Sequence, residues 1–226
     1  MSSSVKNKVV CITGSSIGIG REDAFFFAKE GATVIITYNT NQDEADKVAK
    51  QCVKLGASGT LVLQLNVMVD SSIQNAVETI VEKYKHIDIL INNAGIILWK
   101  RLENQASEEI EFQTRTNLEG LIKMTKECLP HVKEMIINMA SAAGLEGYRD
   151  LTTYCATKWG VRGFSKALAR ETPLKVFAVN PGVTATQMNN FEGMPPEKVA
   201  KVILNLAKGK FELESGSDVN IWDYVE

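Results

Sequence analysis

Short runs rich in Val and Ile alternate with longer stretches of helical pattern along nearly the whole chain, and this alternation limits the possible folds more than any other feature. Residues 9–13, 34–38, 60–65, 87–91, 135–139, 174–179 and about 218–221 read as strands. Residues 20–29, 43–55, 71–84, about 107–129, 153–169 and about 197–207 read as helices, the first with Phe25, Phe26 and Phe27 on its buried side. Strands this apolar are buried on both faces, which points to a parallel sheet covered by helices on each side. The expected architecture is α/β and doubly wound, with about seven strands and six or seven helices in one domain over residues 1–226. No Pro/Gly-rich linker divides the chain, and 181–196 is the one long stretch without an assignment.

Composition narrows the function classes. The 226 residues are 45% hydrophobic and 23% charged, which supports a sizeable core and excludes disorder for the chain as a whole. Lys plus Arg total 25 against 27 Asp plus Glu, so the basic excess of a generic nucleic-acid binder is missing. Cys11, Cys52, Cys128 and Cys155 are scattered, and with only His86 and His131 beside them no metal-ligand spacing is present. No metal is expected, and four dispersed thiols fit a reducing compartment. The apolar run 9–12 is far too short for a signal-peptide core or a membrane span. The expectation is a soluble cytoplasmic protein with neither nucleic-acid nor membrane partners.

In a doubly wound sheet, ligands lie beyond the carboxyl ends of the strands. That rule gathers 14–20, 38–40, 66, 92–95, 141 and 181–186 on one edge. The first of these, Thr13-Gly14-Ser15-Ser16-Ile17-Gly18-Ile19-Gly20, follows a strand and opens a helix. Glycine permits a tight turn and close backbone approach, while free N–H groups and the helix dipole favour a pyrophosphate. Arg21 and Glu22 follow where a P-loop would carry Lys and Ser/Thr, so a P-loop NTPase is disfavoured. The second strand ends in Tyr38, Asn39 and Thr40, with no carboxylate before Asp43. An acid there would bind two ribose hydroxyls and repel a 2′-phosphate, so the neutral segment suits a 2′-phosphate better.

Tyr154 and Lys158 are four apart in a helical stretch and share a face. An ammonium near a phenol stabilises the phenolate and lowers its pKa, making Tyr154 an acid for a carbonyl oxygen or a base for an alcohol. Ser141, just past a strand end, can hydrogen-bond a developing alkoxide. Asn117 falls inside the 107–129 helix, where Asn is disfavoured and needs a partner.

Thr-Gly-x-x-x-Gly-x-Gly, then Asn92-Asn93-Ala94-Gly95, Asn117, Ser141, Tyr154-x-x-x-Lys158 and Asn180-Pro181-Gly182 together resemble the classical short-chain dehydrogenase/reductase family, over essentially the whole chain. The resemblance implies a Rossmann fold and an NAD(P)-dependent enzyme acting on CH–OH and C=O groups. It makes Tyr154 the general acid/base, Lys158 the ribose-binding residue that lowers the tyrosine pKa, Ser141 the group that polarises the substrate oxygen, and Asn117 the anchor of a proton relay. It assigns the pyrophosphate turn to Gly14, Ser15, Ser16, Gly18, Ile19 and Gly20, and the selector position to Tyr38, with Asn39 and Thr40 beside it. Asn66 and Val67 fall at the adenine, where the family often has Asp-Val. Asn93, Ala94 and Gly95 line the cofactor. Pro181, Gly182, Val183 and Thr186 match the nicotinamide-side loop. A tyrosine selector resembles the NADP-using or dual-cofactor members, so NADPH is expected as the preferred cofactor with NAD also usable.

Trp99, Leu145, Tyr148, Leu151, Met188, Phe191 and Met194 flank the expected active edge and suggest an apolar pocket for a small hydrophobic ketone, aldehyde or secondary alcohol. The chain is short between Thr186 and Pro195, where the resemblance places a substrate lid, which predicts an open pocket. A 3-oxoacyl thioester reductase or sugar dehydrogenase of the same family remains an alternative. Outside that chemistry stand a non-catalytic dinucleotide-sensing regulatory protein, and an epimerase or dehydratase that uses its cofactor transiently. The resemblance also implies a homodimer or homotetramer formed through the helices around Asn117 and Tyr154, which carry Leu118, Leu121, Trp159 and Phe164.

Overall fold

The apolar runs form strands and the periodic stretches form helices, in strict alternation apart from one broken helix. A computed structural model describes residues 4–225. The order is β1 (Val9–Ile12), α1 (Gly18–Lys29), β2 (Thr33–Tyr38), α2 (Gln42–Leu55), β3 (Gly59–Gln64), α3 (Asp70–Tyr84) and β4 (Ile87–Asn92). Then follow α4 (Ser107–Thr114), α5 (Gly120–Cys128), β5 (Val132–Met139), α6 (Thr152–Glu171), β6 (Lys175–Asn180), α7 (Pro196–Ala207) and β7 (Asp218–Asn220). All seven strands are parallel, in the order β3-β2-β1-β4-β5-β6-β7. The chain runs outward from β1 to β3, returns to place β4 against β1, and runs outward the other way. The expected Rossmann-like architecture is thus present, with its switch point between β1 and β4.

Period-two alternation divides the core between the two faces. Val10, Ile12, Val34, Ile36, Ile89 and Ile91 pack one way, with Phe27 of α1 and Val202 and Ile203 of α7. Cys11, Ile35, Leu90 and Ile136 pack the other way, with Ile80 of α3 and Met124 and Cys128 of α5. Burying each such side chain stabilises the fold by roughly 1.5–3 kcal/mol. The outermost β3 is only half-buried along most of its length, as an edge strand must be.

Four sequence expectations need correction. Phe27 is fully buried, whereas Phe25 and Phe26 are half-buried; successive helical residues point about 100° apart, so three cannot share one side. The helix expected over 107–129 is broken by a π-helical turn at Arg115–Glu119. Leu151 packs with Ala143, Tyr154 and Cys155, and Met194 packs against the main core, so neither stands free on the active edge. Leu121 is buried and Phe164 packs beside it, which leaves Trp159 as the exposed member of the expected contact set.

Two further features were not expected. Asp23 in α1 is fully buried, and neither carboxylate oxygen has a hydrogen-bond partner. The stretch 181–196 carries a short 3-10 turn at Gln187–Asn189, and a bridge pairs Thr184 with Met194. All four cysteines are free and buried. Among the described residues no three His, Cys, Asp or Glu side chains gather as a metal site, and no helix is long and apolar enough to cross a membrane.

Candidate active site

Because every strand runs the same way, the segments singled out from the sequence all emerge on the carboxyl edge. The glycine turn between β1 and α1 is clamped from two sides. On the β2 side, Ser15 Oγ donates to the Ile12 carbonyl and accepts from the Thr37 N–H, at 2.9 and 3.0 Å. Thr37 Oγ1 accepts from the Gly14 N–H at 2.9 Å. On the β4 side, Thr13 Oγ1 accepts from the Asn93 and Ala94 N–H groups, both at 2.9 Å. The Asn93 side chain donates in return to the Thr13 and Gly14 carbonyls at 3.0 Å.

This packing explains the glycines. A methyl group on Gly20 would lie 2.5 Å from the Asn93 amide nitrogen and 2.8 Å from the Gly14 carbonyl. Gly14 itself sits at φ +64°, in the left-handed region. Ser15 is fully buried and its polar groups bond within the fold, so its contribution is the shape of the turn. The first turn of α1 begins at Gly18, where the N–H groups have no helical acceptor. A backbone cradle at a helix start fits a dinucleotide pyrophosphate. Thr13, which heads the glycine motif, and Thr37, near the end of the second strand, had no clamping role foreseen from the sequence; the only signal for it was a polar residue at a strand end.

The adenosine end is open. Tyr38 packs into the core, while Asn39 and Thr40 are exposed. Asn66 Oδ1 already accepts from the Met68 N–H at 3.0 Å, and its second lone pair is available to an adenine amino group. Val67 is buried against Gly120, where a methyl group would lie 2.7 Å from the Val67 carbonyl. On the opposite flank, Pro181 is buried and its carbonyl accepts from the Ala142 N–H at 2.8 Å, joining the 181–186 loop to the Ser141 turn. Val183 is exposed, and the Thr186 methyl lies 3.5 Å from where a side chain on Gly18 would begin. Glycine turn and loop therefore face each other across the edge. Trp99, Tyr148, Met188 and Phe191 remain exposed beside it.

The four catalytic candidates converge between β4, β5 and α6. Ser141 follows β5; its Oγ accepts from the Ala143 N–H at 3.1 Å, and its hydroxyl lies beside the Tyr154 phenol. Tyr154 and Lys158 lie on the first turns of α6, with 8% and 5% of their surface exposed. Lys158 Nζ donates to the Met139 carbonyl at 2.7 Å and sits 5.6 Å from the centre of the Tyr154 ring.

Asn117 is fully buried in the π-turn between α4 and α5. It behaves as a peptide mimic toward the extended segment that follows Gly95: its Oδ1 accepts from the Ile96 N–H, and its Nδ2 donates to the Ile96 carbonyl, both at 2.8 Å. A π-turn places one extra residue in the helical ring, and such turns recur at functional sites. Here the turn directs Asn117 across to Ile96 and toward Thr157 of α6, at 3.4 Å. Gly95 completes the contact, since a methyl group there would lie 3.2 Å from Asn117 Oδ1 and 3.7 Å from Lys158 Nζ.

The electrostatics differ from the expectation that Lys158 draws the phenol pKa down. Burial pushes the Tyr154 phenol up to about 12, and the Ser141 hydroxyl beside it offsets only part of that. Burial also lowers the Lys158 ammonium to about 8. Desolvation of both groups outweighs their mutual influence. At neutral pH the arrangement holds a protonated phenol, beside a serine hydroxyl, with an amine titrating nearby.

Residues 8–195 match the short chain dehydrogenase family. A 3-oxoacyl-(acyl-carrier-protein) reductase from Thermotoga maritima is 33% identical over 96% of this chain and 97% of its own length. An NADPH-dependent pterin aldehyde reductase from Arabidopsis thaliana is 33% identical over 91% of each chain. A short-chain dehydrogenase structure from Shigella flexneri, complexed with NADP, superposes with a TM-score of 0.90 over 98% of this chain and all of that one, at 23% identity. The chain therefore belongs to the short-chain dehydrogenase/reductase family and is an NAD(P)-dependent oxidoreductase acting on carbonyl and alcohol groups.

Proposed function

We propose that this enzyme reversibly reduces a hydrophobic ketone or aldehyde, with NADPH preferred over NADH. The observation that carries the reading is the convergence of Ser141, Tyr154 and Lys158 on the carboxyl edge, with the serine hydroxyl beside the phenol and the Lys158 ammonium 5.6 Å from the centre of its ring. The nicotinamide cofactor supplies the hydride when bound. The backbone cradle around Gly14, Ser16, Gly18, Ile19 and Gly20 would hold its pyrophosphate. Asn66 would take the adenine, with Tyr38, Asn39 and Thr40 at the ribose. Asn93 to Gly95, Pro181 to Val183 and Thr186 would line the rest.

In reduction, Tyr154 gives its proton to the substrate oxygen as negative charge builds there, and Ser141 donates a hydrogen bond to the same atom. A phenol that stays protonated at neutral pH suits the donor role. Lys158, whose ammonium titrates near 8, can hold or release a proton under working conditions and so restore the phenol. Asn117 fixes the Ile96 backbone beside this pair, where the family resemblance sets the anchor of a proton relay. In oxidation the same groups run in reverse, with Tyr154 as base.

NADPH preference is supported by the neutral adenosine end, and by the cofactors named for the Arabidopsis and Shigella proteins. A hydrophobic substrate is supported by Trp99, Tyr148, Met188 and Phe191 around the mouth. The Thermotoga likeness favours a second reading, a 3-oxoacyl thioester as substrate. Exposed Phe112, Ile122 and Trp159 on α4 to α6 support assembly as a homodimer or homotetramer, and the compartment we assign is the cytoplasm. The test is NADPH and NADH consumption against ketones, aldehydes, diketones, acyl thioesters and sugars. Tyr154→Phe should keep dinucleotide binding and lose roughly a thousandfold in turnover; a rate near that of the parent enzyme removes Tyr154 from its role.

A further inference from the structure

Arg162 lies one helical turn beyond Lys158 on α6, and its side chain is largely buried. Its guanidinium meets two distant parts of the chain. Nε and Nη2 donate to the two carboxylate oxygens of Asp218 in β7, at 2.7 and 2.8 Å, in the bidentate geometry that makes arginine pairs both strong and directional. Nη1 donates to the carbonyl of Gly144. Gly144 closes the short turn Ala142–Gly144 that Ser141 opens, and its N–H donates back to the Ser141 carbonyl at 2.8 Å.

Asp218 in turn holds Arg162 in place. It accepts from Lys166 Nζ at 2.7 Å and from the Asn180 amide at 3.4 Å, at the end of β6. The Ser141 turn is also packed directly on the catalytic helix, since a methyl group on Gly144 would lie 2.8 Å from the Lys158 carbonyl and 3.0 Å from Arg162 Cδ. One guanidinium thus ties the serine turn, the helix that carries Tyr154, and the last strand into a single unit.

We infer that Arg162 is a positioning residue for the reaction: anchored by Asp218, it grips the Gly144 carbonyl and holds the Ser141 hydroxyl in register with the Tyr154 phenol. A serine turn free to drift by an ångström would misplace the hydroxyl relative to the phenol without removing any reacting group. This rests on the reading of Ser141 and Tyr154 as the groups that touch substrate. Nothing in the spacing of Arg162 and Asp218, 56 residues apart, announces the pair.

The test compares Arg162→Met, Lys166→Met, Ser141→Ala and the Arg162→Met/Ser141→Ala double variant, with Tyr154→Phe as reference. Lys166→Met removes an ion pair of Asp218 but leaves the Gly144 contact, so it controls for simple loss of charge. Arg162→Met should lower kcat tenfold or more with cofactor KM changed less than about threefold, while Lys166→Met stays within twofold. In the Ser141→Ala background the Arg162 change should cost little, because both act through one hydroxyl. Amide exchange across residues 142–145, read by mass spectrometry, should quicken in Arg162→Met and not in Lys166→Met; this readout needs no substrate. Unchanged exchange in Arg162→Met, or effects that multiply independently in the double variant, would overturn the inference. An active Tyr154→Phe enzyme would instead sink the catalytic reading beneath it.

Discussion

The two ends of the dinucleotide site are built to different standards. At the catalytic end, Asn117, Lys158 and the turn after Ser141 are buried, and each has a defined hydrogen-bond partner on another element. At the adenosine end, Asn39 and Thr40 face solvent, and the selector position is a tyrosine packed into the core. The glycine turn between them is clamped firmly, but by its own neighbours. The difference teaches where tolerance lies: the catalytic candidates are held by many coupled contacts, whereas the end where we place cofactor choice offers only exposed Asn39 and Thr40 beside the core-packed Tyr38. Buried ionisable groups separate the two halves as well. Lys158 is buried with a carbonyl partner at the edge where reaction occurs, whereas Asp23, in the helix that follows the glycine turn, is buried with none.

The largest expected effect tests the cost of the catalytic end. Lys158→Met should lose at least a hundredfold in turnover and yet gain stability. A buried ammonium held near 8 instead of 10.5 costs up to about 3 kcal/mol at neutral pH, less about 1 kcal/mol for the Met139 carbonyl left unpaired. The sign follows from proton binding. Between 8 and 10.5 the unfolded chain binds the proton that the folded chain has released, so parent stability rises with pH through that window and is flat below it. The advantage of Lys158→Met in urea unfolding should therefore be full at pH 7 and shrink by pH 9.5. A variant no more stable than the parent at pH 7 would mean that the ammonium is better solvated than its burial implies.

Asp23→Asn sharpens the contrast, since it alters a buried ionisable group outside the chemistry. Burial, and then the neighbouring Glu22 carboxylate, raise the Asp23 pKa well above that of an ordinary carboxyl. The folded state keeps a proton that the unfolded state sheds above about 4, so this group's contribution to stability falls as pH rises. Asp23→Asn, which has no proton to lose, should then be more stable than the parent at pH 7, with kcat unchanged. The gain should vanish near pH 3.5 in the same unfolding measurement. A loss of activity would give Asp23 a part in the site that its position does not suggest.

The smallest effect belongs to the open end. Tyr38→Asp places a carboxylate at the ribose position and should shift the NADPH-to-NADH ratio of kcat/KM toward NADH by about tenfold, or 1.4 kcal/mol. An unchanged ratio would move the selector elsewhere on that rim, and a collapse of turnover with both cofactors would show that the two ends are not separable.

The strands, the glycine turn and the spacing of Ser141, Tyr154 and Lys158 were legible because each depends on local pattern. An apolar run of five residues, a glycine where backbone must approach backbone, and a four-residue helical repeat mean much the same wherever they occur. Asn117 was legible as an anomaly, a polar residue in a helix, but not as a π-turn. That turn exists because the side chain completes the hydrogen bonds of Ile96, a partner supplied by another segment. The Phe25-Phe26-Phe27 run misled because hydrophobicity alone does not say which of three adjacent residues faces the sheet. Leu151 and Met194 misled in the same way, being near the edge in sequence but turned into the core.

By itself the sequence determined the parallel sheet and the strand–glycine turn–helix, since these follow from periodicity and short-range spacing, and its motifs together singled out the groups we propose as reacting. Only the tertiary structure decided which residues hold those groups still and what protons they carry. Desolvation, the Met139 carbonyl under Lys158 and the grip of Arg162 between Asp218 and Gly144 come from segments far apart in the chain. Their energies depend on burial and on distances of a few ångströms, quantities that no local pattern encodes.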